Sequence, residues 1–135
     1  PFGSARVVRE GRDATVIATH LYVDKALRVA NTLMKEGISV EVIDPRTLIP
    51  FDEQTILKSV AKTHRAVVIH EAHKNAGPGA EIAATIMEKA FNELDAPVLR
   101  LGAKACTLPF NMGLENAVVP QESELLDAVR RVCYR

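Results

Sequence analysis

The chain has 135 residues, 47% hydrophobic and 25% charged, and 17 Lys and Arg balance 17 Asp and Glu at a formal net charge of +0. That length suits one domain with a core that needs no staples, and the composition argues against disorder and against a membrane span. The charge balance argues against nucleic acid as the main partner, since such binding rests on excess positive charge, and it leaves little repulsion between copies of the chain.

Ala5–Glu10 alternates weakly and predicts an edge strand, followed by a tight turn at Gly11-Arg12-Asp13. Ala14–Thr19 is more apolar and predicts a central strand. Tyr22–Glu36 has helical period, with Val23, Ala26, Leu27, Ala30, Leu33 and Met34 on one face. Gly37 is placed to end that helix in the left-handed conformation. Ile38–Ile43 predicts a third strand. Asp44–Phe51 predicts a loop, because its two prolines exclude a helix interior. Asp52 is a good N-cap for a helix to about Thr63, with Ile56, Leu57, Val60 and Ala61 as its buried stripe.

Ala66–Ile69 is a short apolar run that fits a strand covered on both faces. A polar turn with His70, Glu71, His73, Lys74 and Asn75 is expected next, and Gly77-Pro78-Gly79 leads into a helix to about Leu94. Pro97–Leu101 predicts a fifth strand, and Gly102–Pro120 a long irregular stretch of the kind that is functional or interface-forming. Glu122–Cys133 predicts a last helix, with acids at its start and Arg130 and Arg131 at its end. Strands alternating with helices predict a three-layer α/β/α domain over residues 1–135 with a mostly parallel sheet. The turn at 11–13 is too short for a parallel crossover, so the first strand either runs antiparallel or joins the sheet elsewhere.

Chemistry is sparse. Cys106 and Cys133 are the only cysteines and lack the spacing of a zinc site; they are expected to be reduced and mostly buried, as in an intracellular protein. His70-Glu71-Ala72-His73 is not HExxH and has no evident third ligand, so it reads as a hydrogen-bonded turn rather than a metal site. Gly77-Pro78-Gly79 could cradle an anion at a helix start. It lacks the third glycine and the early strand of a dinucleotide fingerprint, and close packing is the simpler reading. Asp44-Pro45-Arg46-Thr47 suggests a structural salt bridge or a subunit contact. No nucleophile is paired with a base. No catalytic, cofactor-binding or metal residue is therefore assigned. The chain begins Pro1-Phe2-Gly3 without Met and is expected to be a fragment or an excised domain.

Gly11-Arg12-Asp13-Ala14-Thr15-Val16-Ile17, Ala26-Leu27 and Gly37–Asp44 resemble the carboxy-terminal domain of the transketolase-type, thiamine-diphosphate-dependent enzymes. Asp44–Asp52 resembles that family's Asp-Leu-Arg-Thr-Leu-x-Pro-x-Asp signature, with Pro45 in place of Leu. His70-Glu71-Ala72, Gly79–Ala83, Leu94–Val98 and Leu114-Glu115…Pro120 are similar to the beta subunit of the 2-oxo acid dehydrogenases in particular. The match departs at Gly102–Pro109, where an Asp and a second Pro are usual, and at His20, where Gly is common.

The resemblance implies a five-stranded sheet of order 1-3-2-4-5 with the first strand antiparallel. It implies a switch-point crevice between strands 2 and 4, lined by Thr19, His20, His70, His73 and Gly77–Gly79. It also implies an assembly and partner-docking role in a dehydrogenase acting on pyruvate or a branched-chain 2-oxo acid. Thiamine diphosphate and its divalent cation would be held by other parts of the parent and not by this domain, which alone is expected to be inactive. The implied partners are an alpha subunit, a second beta subunit and the binding domain of the acyltransferase core, the last received by Asp95, Glu93 and the terminal carboxylate of Arg135. A cytoplasmic protein is expected, or a mitochondrial-matrix one in a eukaryote, and in isolation a homo-oligomer. The alternatives are a transketolase or deoxyxylulose-phosphate synthase domain and, from another class, a stand-alone anion-binding or assembly module.

Overall fold

The computed structural model describes all residues from Pro1 to Arg135. Its elements, in chain order, are β1 (Arg6–Arg9), β2 (Ala14–Ala18), α1 (Leu21–Lys35), β3 (Val40–Asp44), α2 (Glu53–Thr63) and β4 (Ala66–His73). There follow α3 (Pro78–Ala90), a 3-10 turn (Phe91–Glu93), β5 (Leu99–Ala103), α4 (Met112–Val118) and α5 (Glu122–Val132). One sheet of order β1-β3-β2-β4-β5 runs through the molecule. β1 is antiparallel to β3, and every other neighbouring pair is parallel.

Both faces of the sheet are covered, and the alternation of side chains along each strand divides the core. Val16, Val42, Val67 and Ile69 pack with Leu33 of α1 and Leu125 of α5. Ile17, Ile43 and Val68 face the other way, against Ile56 of α2 and Ile86 of α3. All five residues of β2 are buried, which is why the strand reads as apolar save for Thr15, whose hydroxyl is partnered by Ser59 and Thr63.

The short turn at Gly11–Asp13 works because β1 and β2 are not neighbours; β3 lies between them. The chain crosses over the start of β3 so closely that a Cβ on Gly11 would sit 2.1 Å from the Glu41 nitrogen, so only glycine fits. Gly37 takes φ +80 after α1, as its position predicts. Asp52 caps α2 by accepting from the Thr55 backbone N–H. Gln121 and Glu124 form a reciprocal capping box at the start of α5.

Several expectations are corrected. β4 does not stop at Ile69 but continues through the His70–His73 cluster, held by β5 across a register shift between Ile69 and His73. The stretch 102–120 is not wholly irregular: β5 extends to Ala103, and α4 forms where the Asn111 side chain accepts from the Gly113 and Leu114 N–H groups. Cys106 is exposed, not buried, and Cys133 is half-buried; both are free thiols. The buried face of α1 is rotated, with Tyr22 and Val29 inside and Met34 outside. The Tyr22 hydroxyl donates to the Pro120 carbonyl at 3.1 Å, which makes an aromatic residue with a polar tip fit the interior. In α2 the inward stripe also includes Ser59 and Thr63, because polar groups on β2 and β3 need partners there, while Leu57 packs half-buried at its margin and Ala61 is exposed.

Candidate functional site

The carboxyl ends of β2, β3 and β4 meet at a cleft of ≈ 380 Å³. Thr19 and His20 reach it from the end of β2, Asp44 from the end of β3, and Arg46 and Thr47 from the loop beyond. His70–Ala72 line it from β4 and Pro78 from the first turn of α3. This is where a doubly covered parallel sheet offers its crevice.

Two backbone positions on the cleft are strained. His20 has φ 50 and ψ −126 with no side-chain cap on α1, and Arg46 has φ 61. Non-glycine residues there cost roughly 1–3 kcal/mol each and gather at functional surfaces. Arg46 meets Asp44 through its backbone N–H, which donates to Asp44 Oδ1 at 2.8 Å, so the expected Asp–Arg salt bridge is an acid-to-backbone turn instead.

His70 is 2% exposed. Its Nδ1 lies 2.9 Å from the Ala72 carbonyl, which can only accept, so Nδ1 carries the hydrogen and Nε2 is bare. Nε2 has no partner. The ring is enclosed by glycines: a Cβ on Gly79 would lie 2.5 Å from Nε2, and one on Gly77 or Gly102 would lie 3.0 or 2.8 Å from Cε1. Burial pushes the His70 pKa down, the Ala72 hydrogen bond opposes this, and the positive charge of Arg100 adds to the lowering. His70 is thus a neutral pillar, and Gly77 and Gly79 serve as the space for its ring. His73 is exposed and turns away from the cleft, with Nε2 3.1 Å from the Cys106 carbonyl. Of the expected crevice residues, Thr19, His20, His70 and Pro78 line the cleft, while His73, Gly77 and Gly79 stand outside its lining.

Glu93, Asp95 and the carboxyl end of the chain come together on the opposite side of β4's start. The Asp95 N–H donates to the His64 carbonyl at 2.8 Å, and the Tyr134 hydroxyl donates to the Asp95 carbonyl at 2.8 Å. Asp95 Oδ2 lies 3.7 Å from the Arg65 guanidinium, and Glu93 Oε2 lies 3.8 Å from His64 Nδ1. The Arg135 N–H donates to the Arg130 carbonyl at 2.9 Å, which folds the terminus back onto α5. Sequence reading missed His64, Arg65 and Tyr134 as members of this group. Their only signal is position, beside the helix end and the strand start that the Asp95 turn must meet.

A second omission is the Glu41 network. Glu41 sits in the apolar run Val40–Ile43, and a charge inside a strand covered on both faces requires partners. It accepts from Ser59 Oγ at 2.5 Å, from the Gly11 N–H at 3.1 Å and from Lys62.

The family described as the transketolase C-terminal domain matches residues 3–125. The chain belongs to this family. It is 44% identical over 134 residues to the pyruvate dehydrogenase E1 component subunit beta of Rickettsia felis, covering 99% of this chain and 41% of that protein. The mitochondrial pyruvate dehydrogenase E1 component subunit beta-2 of Oryza sativa subsp. japonica is 44% identical over 135 residues, 100% of this chain and 36% of that one. A solved split-gene transketolase, described as an inactive beta4 tetramer, superposes with a TM-score of 0.84 at 26% identity, covering 98% of this chain and 42% of that one. The chain therefore spans 36–41% of the length of these two relatives.

No three His, Cys, Asp or Glu side chains cluster closely enough to hold a metal ion. The one orphaned side-chain atom beside the cleft, His70 Nε2, is closed off against Gly79. No helix is long and apolar enough to cross a membrane.

Proposed function

We propose that this chain is the assembly and partner-docking domain of the beta subunit of a thiamine-diphosphate-dependent 2-oxo acid dehydrogenase, a single domain over residues 1–135 of a larger subunit. The observation that carries the reading is the 44% identity to a pyruvate dehydrogenase E1 beta subunit across 99% of the chain. The parent's reaction is the oxidative decarboxylation of a 2-oxo acid with acyl transfer to lipoamide, and pyruvate is the substrate that the named relatives favour. The cofactor and its cation are held outside this chain, which alone is inactive. Its partners are an alpha subunit, a second beta subunit and the binding domain of the acyltransferase core, received at the Glu93, Asp95 and Arg135 corner. Free of those partners, the chain self-associates. The parent works in the cytoplasm, or in the mitochondrial matrix of a eukaryote.

A chimeric subunit tests this. The Rickettsia felis beta subunit, with its matching segment replaced by this chain, is expected to assemble with its alpha subunit and to decarboxylate pyruvate. A chimera that folds but fails to assemble would overturn the reading. Calorimetry of the isolated chain with thiamine diphosphate and magnesium is expected to show no micromolar binding.

A further inference from the structure

We propose that the outer edge of β5 receives an extended acidic segment of another protein as a sixth strand of the sheet. This surface is separate from the docking corner proposed above: neither Glu93, Asp95 nor Arg135 lines it.

β5 ends the sheet, with β4 on one side and no strand on the other. Two hydrogen bonds fix which of its backbone groups face outward. The Ala103 carbonyl accepts from the Lys74 N–H at 2.9 Å, on the β4 side. The Lys104 N–H donates to the Val118 carbonyl at 3.0 Å, on the other side. Backbone groups alternate between the two sides of a strand, so Leu99 and Leu101 turn theirs to β4, and Arg100 and Gly102 turn theirs outward. Val118 closes the edge at Lys104 and leaves the N–H groups and carbonyls of Arg100 and Gly102 open. Gly102 cannot carry a side chain to shield them, since a Cβ there would lie 2.8 Å from His70 Cε1 and from the Lys74 nitrogen.

An open edge is a template for a further strand. The opposite edge is blunted, because β1 meets β3 with a register shift between Val7 and Arg9. β5 has no such break from Leu99 to Leu101, where it pairs residue by residue with Val67–Ile69.

A groove of ≈ 400 Å³ runs beside the edge, between β5 and α5, and its charges select the occupant. Lys74 and Arg131 are exposed and Arg100 is half-buried. None of the three forms an ion pair within this chain. The groove's two acids are already engaged: Glu124 Oε2 accepts from the Gln121 N–H at 2.7 Å, and Asp127 Oδ1 lies 3.5 Å from Arg130. Leu99 and Leu101 pack with the α5 side of the core, and Arg100, between them, projects from the opposite face of β5. A segment that alternates acidic and apolar residues matches both faces, its acids toward Arg100 and Lys74 and its apolar side chains toward Leu99 and Leu101. This is the pattern of peptides added to an exposed sheet edge. A second copy fits badly: edge-to-edge pairing about a two-fold axis brings the cations of one β5 edge against the same cations of the other, and like charges facing each other destabilise a strand pair.

Nuclear magnetic resonance of the 15N-labelled chain, titrated with a short acetylated peptide of alternating glutamate and valine, tests the proposal. The expected result is a saturable shift of the Arg100 and Gly102 amide resonances, with no binding of the lysine–valine counterpart. Lys74→Glu and Arg100→Gln are each expected to weaken binding about twofold to fivefold, the effect of one exposed ion pair, with far-UV circular dichroism unchanged. Methylating the amide nitrogens of the peptide's valines blocks one of its edges, and methylating those of its glutamates blocks the other. One of these two peptides is expected to bind as the parent does and the other to lose binding, because a single edge of the added strand meets β5. Unmoved Arg100 and Gly102 resonances, equal behaviour of the two methylated peptides, or equal binding of the lysine–valine peptide would each overturn the proposal. Resonances that shift with protein concentration alone, and that the acidic peptide does not displace, would assign the edge to a second copy and overturn it as well.

Discussion

The Glu41 carboxylate, 1% exposed in the middle of the sheet, is paired with the ammonium of Lys62, whose side chain is 45% exposed and reaches in from α2. The same ammonium lies 2.8 Å from Glu10, at the surface. Hydrogen bonds to Glu10 and then Glu41 raise the Lys62 pKa against the cost of burial. One lysine thus joins a wet acid to a dry one, and the two contacts differ in worth. Removing the base leaves the dry carboxylate short of a partner, which costs far more than losing a surface pair.

Lys62→Met is therefore expected to destabilise the chain by about 2 kcal/mol, the range for a buried polar group left unsatisfied. Glu10→Gln is expected to leave the urea midpoint almost unmoved. Equal shifts for the two variants in urea unfolding would refute this division of the network.

The fit of His70 to Gly79 supports a coupling prediction. Alanine is normally the better helix residue by about 1 kcal/mol. At Gly79, in the first turn of α3, its Cβ would press on the His70 ring, at 2.5 Å from Nε2. Gly79→Ala is expected to destabilise the chain by about 1–3 kcal/mol through overpacking. In a His70→Ala background the same change is expected to cost less, because the ring is gone. Additive effects in the double-mutant cycle would show that the glycine has another role.

These contacts mark the limit of sequence reading. Strand and helix positions were legible because burial on both faces leaves uninterrupted apolar runs such as Ala66–Ile69, and because Gly37 and Asp52 carry backbone geometry in their identity. The antiparallel β1 was half legible: the short turn posed the problem, and resemblance alone supplied the strand order. α4 was missed since its stability lies in an Asn cap and not in a buried stripe. The cleft gathers Thr19, His20, His70 and Pro78 and leaves His73, Gly77 and Gly79 outside its lining, because spacing cannot say that glycines near a helix start make room for a histidine ring. The Glu41 network was out of reach for the same reason, since its donors come from 18 and 30 residues away along the chain.

Acid sensitivity is expected in two windows. Burial lowers the His70 pKa from 6.5, so as the pH falls below about 6.5 the unfolded chain takes up a proton first and stability declines. Above that value the His70 contribution is complete. Asp52 acts lower. Burial favours its neutral form, but hydrogen bonds from the Thr55 hydroxyl and from the Ala5 and Thr55 N–H groups outweigh burial and hold its pKa below 3.8. Its contribution is present above 3.8 and is lost as the pH falls through the depressed value. His70→Asn is expected to flatten the upper window and leave the lower one, and Asp52→Asn the reverse. Urea midpoints across the acid range check this, and a His70→Asn curve parallel to the parent's would refute the upper assignment.

The last prediction concerns Asp95 as the docking acid of the proposed function. Both of its backbone groups are committed, the N–H to the His64 carbonyl and the carbonyl to the Tyr134 hydroxyl. Its side chain is 55% exposed, and its nearest base, Arg65, stands 3.7 Å away. Substitution by alanine keeps both backbone bonds, so the turn survives while its charge is removed. A basic residue of the acyltransferase binding domain would compete with Arg65 for the carboxylate. At the rim of an interface such a pair is worth roughly 0.2–1 kcal/mol, and truncating a desolvated one costs about 2–5 kcal/mol. Asp95→Ala is thus expected to weaken binding of a cognate binding domain and to reduce the salt dependence of its affinity, with thermal unfolding unchanged. Tyr134→Phe separates charge from position: it keeps the carboxylate but releases the Asp95 carbonyl, and is expected to weaken docking less than Asp95→Ala. Calorimetric titration at two ionic strengths makes the measurement. If affinity and its salt dependence both survive the loss of Asp95, the carboxylate serves only its own Arg65 and docking lies elsewhere on the chain.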